Sequence, residues 1–243
     1  MAGSTPAPAK TAKGAQAEKT AKGSPLDRAP VGERCPWPGI ETPIYADYHD
    51  TEWGVPQVDS QKLFEKIVLE GFQSGLSWLT ILKKREAFRE AFDGFDPERV
   101  ARYDANKLAK LITNTGIVRS QAKIASAVQN AQAYLKLSEQ QPFAAYIWSF
   151  VDYSPITNAH RTFSDVPTET DESRALAKSL KANGFRFVGP TTMYAFMQSV
   201  GIVNDHLVTC PRYEECARLQ REMVPPVGVP AKAAKEASAR AGA

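Results

Sequence analysis

Apolar residues recur along most of this chain at the three-to-four spacing of a helix rather than the alternation of a strand. After the polar stretch Asp59-Ser60-Gln61, in which Asp59 or Ser60 can cap, Leu63, Phe64, Ile67 and Val68 mark one apolar face. The same periodicity predicts helices over 76–92, from Pro97, over 104–114 and over 120–137. The stretches "PFAAYIWSF", "DESRALAKSLKANG" and "PTTMYAFMQSVG" supply three more, the middle one closed by Gly184 at C′. Strand signals are nearly missing and no internal repeat is present. The expected fold is all-α, a compact domain of about eight short helices spanning roughly residues 31–222. Residues 1–30, rich in Ala, Lys, Pro, Gly, Ser and Thr, hold too little apolar surface to offset the entropy of ordering and are expected as a disordered basic tail. Residues 223–243 have the same character.

Against this pattern, Glu70 is out of place. It sits in "IVLEGFQSGLSWLTI", residues 67–81, nearly in register with Leu63 and Ile67 and so beside the apolar stripe. A lone buried carboxylate is costly unless something polar meets it. Either this helix edge is wet or Glu70 caps a neighbouring helix, or it is an acceptor at the floor of an apolar pocket with Trp78 as a wall. A second cluster, Trp37, Tyr45, Tyr48 and Trp53, lies in the Pro-rich, weakly periodic segment 35–54. Flat rings on an irregular segment form either a strap over the helices or a stacking platform for bases.

Composition narrows the class. A chain of 243 residues, 43% of them hydrophobic, suits one globular domain with tails, and no apolar run approaches the roughly 18 residues that span a bilayer. No apolar leader segment is present at the N-terminus, so the expected setting is intracellular, with no membrane partner. The net charge is +3, and the first thirty residues, with five basic side chains against two acidic, account for all of it. Any contact with nucleic acid must therefore come from a local patch. Three cysteines are too few for a disulfide scaffold. Cys35 and His49, with His206 and Cys210 one helical turn apart, make a two-thiolate, two-imidazole set of the kind that holds structural zinc. The spacing matches no standard finger, Cys216 is a rival thiol, and His160 is expected outside the cluster. Between two helical patterns, "LITNTGIVRSQAKI" contains Gly116, Arg119 and Lys123. It reads either as an ordinary connection or as a turn that points a helix N-terminus and these cations at phosphate.

Taken together, "RCPW", "YADYHDTEWGVP", "LFEKIVLEGFQSGLSWLTILKKREAFREAF", "TGIVRSQAKI", "WSFV" and "GFRFVGPTTMYAFMQSVGIVNDH" resemble the DNA-3-methyladenine glycosylase I family of the helix-hairpin-helix superfamily, over nearly the whole folded unit. The resemblance implies one structural zinc per chain on Cys35, His49, His206 and Cys210. It implies a base pocket in which Glu70 bonds the methylated adenine, Tyr48 assists and Trp78 stacks, with Trp53, Trp37 and Tyr45 lining it. The implied reaction is hydrolytic release of free 3-methyladenine from double-stranded alkylated DNA, leaving an abasic site. No strand cleavage is expected, because no pocket lysine is evident. Asp152, after "WSFV", is too far from the hairpin to be given a catalytic role. The alternatives are a non-catalytic helix-hairpin-helix DNA-binding module and a zinc-stapled interaction domain. A monomer is the default.

Overall fold

The computed structural model describes residues 34–241. The expected arm at residues 1–30 lies outside them. Helix α2 (Ser60–Gln73) is the axis of the molecule, capped by the Asp59 carboxylate, which accepts from Lys62 N at 2.8 Å. Every residue from Ile67 to Phe72 is buried. Leu63 and Ile67 join one core formed with α8 (Phe143–Trp148), α9 (Asp171–Ala182) and α10 (Pro190–Ser199). Phe64, Val68 and Phe72 face a second core with α4 (Arg85–Ala91), α5 (Pro97–Val100), α6 (Ala105–Thr113) and α7 (Gln121–Ser138). A residue late in α2 therefore has no route to water except through a cavity.

The described residues are mostly helical, as the periodicity predicts, with twelve α-helices rather than about eight. One difference is α1 (Pro43–Thr51), inside the segment read as irregular, where Pro43 opens the helix with its preset φ. The stretch 76–92 also breaks, into α3 (Trp78–Leu82) and α4. The break lets Leu82 join Trp37, Tyr48 and Trp53 while Phe88 and Phe92 stay in the second core. Beyond the predicted set lie α11 (Arg212–Arg221) and α12 (Ala231–Ala241). The latter falls in the expected C-terminal tail. Its Ala, Lys and Glu residues are good helix formers, and it packs on α11 with Ala237 buried.

Two strands of two residues each, β1 (Ile156–Thr157) and β2 (Val203–Asn204), pair in parallel, Ile156 with Val203. They are too short to show alternation in the sequence. Their pairing sets the segment after β1 beside Asp205 and His206. Gly201 turns the chain into β2 at φ +67°, and a Cβ there would lie 2.3 Å from the Val55–Pro56 backbone. Gly201→Ala is therefore expected to cost at least about 2 kcal/mol of unfolding free energy in a urea titration. A loss within 0.5 kcal/mol, roughly the scatter of surface substitutions, would contradict this packing.

Candidate base pocket and metal group

Tyr45 and Tyr48, one turn apart on α1, face the same way, with Trp37 and Trp53 flanking the helix. The Trp37 ring lies 5.2 Å from Tyr45 and 4.7 Å, edge-on, from Trp53, and Tyr48 is 5.5 Å from Trp78. Trp78 is presented at the first turn of α3, whose N-terminus the Ser77 hydroxyl caps. These five rings and Glu70 line one cavity of about 220 Å³, closed by Gln73, Ala195, Gln198, Ser199 and the loop residues Phe163 and Val166. The rings read from sequence as either strap or platform thus form a cavity wall, and Glu70 is 4% exposed at its floor.

Burial pushes the Glu70 carboxyl up to about 7, against the pull of Lys66 and the Ser199 hydroxyl. Burial also raises the Tyr48 phenol well above its usual range, and the Glu70 charge adds to this, so Tyr48 stays neutral. Sequence reasoning found no pocket lysine, yet Lys66 stands directly behind this wall. Its Nζ donates to Tyr48 Oη at 2.8 Å and lies 3.9 Å from the Trp78 ring centre. Its place one turn before Glu70 on α2 was the available signal. Asp205 also lines the cavity. It is tied by Tyr194 Oη (2.6 Å), Gln198 Nε2 (2.7 Å) and Asn158 Nδ2 (2.7 Å), and nothing in its sequence neighbourhood marks it. Asp152 is not part of the cavity: it is exposed and pairs with Arg240 at 3.3 Å.

Cys35, His49, His206 and Cys210 converge beside this cavity, all four buried and their ligand atoms within 4.8 Å of one another. Cys210 Sγ is 3.5 Å from His206 Nδ1 and 3.6 Å from His49 Nε2, and Cys35 Sγ is 3.6 Å from His206 Nδ1. An ion bound tetrahedrally at ordinary zinc distances separates S and N by about 3.5 Å, so the donor set fits. The imidazoles are held from behind, His49 Nδ1 by Asp50 at 2.8 Å and His206 Nε2 by the Trp53 carbonyl at 3.0 Å. Cys35 holds the Cys210 thiol low through a hydrogen bond that the two imidazoles reinforce, a direction that suits a metal-ligating sulfur. Cys216 and His160 lie outside this group.

Between α6 and α7, the Asn114 side chain accepts from Gly116 N at 2.8 Å, and a Cβ on Gly116 would come within 3.0 Å of Ala87. Ser120 caps α7, and Arg119 is exposed. Lys123, expected to point outward, instead donates to the carbonyls of Phe72 (2.9 Å) and Ser74 (2.6 Å), because the C-terminus of α2 leaves those acceptors unpaired. It braces the pocket helix instead of facing phosphate.

A helical protein with an aromatic, carboxylate-floored cavity is the class that fold and site define. The model of the methyladenine glycosylase family matches residues 37–213, and the chain belongs to that family. It is 54% identical over 179 residues to a DNA-3-methyladenine glycosylase of Haemophilus influenzae, covering 73% of this chain and 96% of the relative. It is 49% identical over 182 residues to DNA-3-methyladenine glycosylase 1 of Escherichia coli, covering 74% and 97%. The structure of 3-methyladenine DNA glycosylase I from Staphylococcus aureus, described as the basis of 3-methyladenine recognition, superposes with a TM-score of 0.71 at 41% identity, covering 72% of this chain and 94% of that one.

The raised Glu70 carboxyl has a consequence for stability. Between its ordinary value of 4.5 and about 7 the folded chain keeps a proton that the unfolded chain releases. The group's contribution is thus most favourable below about pH 4.5 and is lost as pH rises to about 7. Glu70→Gln should stabilise the fold by about 1–3 kcal/mol at pH 8 and change it little at pH 4. Urea unfolding at the two pH values measures this, and equal effects at both would refute it.

Proposed function

We propose that this chain excises 3-methyladenine from alkylated double-stranded DNA by hydrolysis, leaving an abasic site and an uncut strand. The observation that carries the reading is the buried Glu70 carboxylate on the floor of a cavity walled by indoles and phenols. Methylation at N3 gives adenine a positive charge. Aromatic faces favour such a cation by about 0.5–2 kcal/mol, and a charge-assisted hydrogen bond to Glu70 adds about 1.5–3 kcal/mol. Together these amount to roughly 2–5 kcal/mol of preference over neutral adenine. Extruding the nucleotide costs a few kcal/mol for any base, so the preference decides which one stays flipped. The arriving cation also holds Glu70 in its ionised form.

Breaking the bond between C1′ and the purine sends its electron pair onto the base, which leaves neutral. Water adds to the cationic sugar carbon and gives up a proton. The leaving group is already activated, so nothing has to protonate it. Glu70 and Tyr48 bond the base, with Trp78 stacking and Trp53, Trp37 and Tyr45 completing the walls. The α6–α7 turn acts as the helix-hairpin-helix element, with Gly116 allowing close approach, Arg119 supplying charge and Lys123 bracing the hairpin against α2. Zinc on Cys35, His49, His206 and Cys210 ties the aromatic segment to the chain after β2. It would supply no chemistry to the reaction, since all four positions are taken by protein ligands. The chain acts as a monomer.

Glu70→Gln should lower base release from methylated duplex by about 100-fold or more while the circular dichroism spectrum stays native. Unchanged release would remove Glu70 from the reaction. Elemental analysis should find one zinc per chain, absent from Cys35→Ser, whose melting temperature falls. A native, metal-free wild-type protein would overturn the zinc assignment.

A further inference from the structure

The groove on the far side of the aromatic wall holds a second charged layer. Glu52, Glu65, Lys66, Arg85 and Arg89 line it, and Ser199 is shared between groove and base cavity. Two of its carboxylates already have guanidinium partners: Glu52 accepts from Arg85 at 2.6 and 2.7 Å, and Glu65 from Arg89 at 2.8 Å. Glu70 has none among the described residues. The cation one turn before it on α2 is Lys66, whose ammonium is held by Tyr48 and Trp78.

We propose that Lys66 is a positioning residue of this site, an internal ammonium that favours the ionised form of the base-recognising carboxylate Glu70 and turns the Tyr48 hydroxyl hydrogen into the cavity. The inference rests on the reading of Glu70 as the group that recognises the base. Hydrogen-bond inventory supplies the second half. An ammonium has three donors and no acceptor, so Tyr48 Oη must accept from Lys66, and its own hydrogen points elsewhere, where a base nitrogen or the Glu70 carboxylate can take it. With a neutral side chain at position 66, that orientation is no longer imposed.

Electrostatics supplies the first half. Lys66 faces Tyr48 from α1 and Glu52 just after it, Glu65 and Glu70 from α2, Trp78 from α3, Arg85 from α4 and Ser199 from α10. Glu70 in turn faces Lys66, the Ser199 hydroxyl, the Tyr45 and Tyr48 phenols and, across the cavity, Asp205. The phenols are neutral, so Lys66 is the cation here that, together with the Ser199 hydroxyl, favours the charged carboxylate. Burial pulls Lys66 down to about 8, so it is still a cation at neutral pH.

Replacing Lys66 by Met keeps the bulk and removes the charge. In the pH profile of kcat/KM for 3-methyladenine release, the acid limb should move up by about 1 unit or more, the size of an opposite charge within a helical turn. Release should then fall about fivefold at pH 7 and recover near pH 9. Lys66→Arg should restore the wild-type limb. An unmoved limb in Lys66→Met, or an equal displacement in Lys66→Arg, would overturn the proposal in favour of a packing role. Should Lys66→Met not fold, the carbon-13 carboxyl titration of Glu70 in the wild-type protein decides. A second inflection as Lys66 loses its proton is expected, and a single-step curve refutes the coupling. That titration reads the pair without catalysis, so its failure sinks this inference alone, whereas full activity of Glu70→Gln sinks the reading beneath it.

Discussion

Keeping one carboxylate away from water is the constraint around which this molecule is arranged. An isolated buried charge is expensive, and the side chain at position 70 is only 4% exposed, on a helix buried on both sides. The chain meets the cost partly with the Lys66 ammonium and the Ser199 hydroxyl, and leaves the remainder as a carboxyl displaced upward by burial. On the proposed reading, a cationic purine brings a charge that balances this carboxylate, whereas neutral adenine does not, so recognition draws on the same electrostatic cost that folding incurs.

The rest of the architecture holds that cavity's shape. Its floor belongs to α2, its walls to α1, α3 and the residues flanking α1, and its far side to α10 and the chain after β2. Of these pieces only α10 and the chain after β2 are distant in sequence from the rest, and the buried aromatic cluster is separate from the two clusters on either side of α2, with Trp78 packed against both it and the second core. The Cys-His group lies where this detached cluster meets His206 and Cys210, and Arg34 adds a bidentate contact to Asp50 behind His49. The zinc proposed for this group would crosslink the wall at that point, outside the cavity.

Several side chains serve the site by holding other side chains. Lys123 caps the carbonyls of Phe72 and Ser74 and so fixes the end of α2 two residues beyond Glu70. Asp205 gathers Tyr194, Gln198 and Asn158, coupling α10 to the segment after β1. Lys123 and Asp205 both find their partners inside the protein, which limits how far these segments can shift.

Much of this was legible in the residues alone. Helical periodicity determined the all-α class, the start of α2 and the bounds of α6, α7, α9 and α10 to within about two residues. Glu70 was conspicuous because a carboxylate beside such a stripe needs a reason, and the Cys and His residues because few other side chains bind soft metals. Tertiary structure alone decided the remainder. The break between α3 and α4 serves two separate cores, α1 forms where Pro and aromatics read as irregular, and Lys123 turns inward to carbonyls 49 and 51 residues away. Lys66 joins Tyr48 and Trp78 only when the three consecutive helices α1, α2 and α3 pack together, and Asp205 reaches the cavity of Glu70 only when the chain after β2 packs onto them. Periodicity reports which face of a helix is buried. It carries no information about which partner waits there, because that is set by contacts between segments whose separation no local pattern encodes.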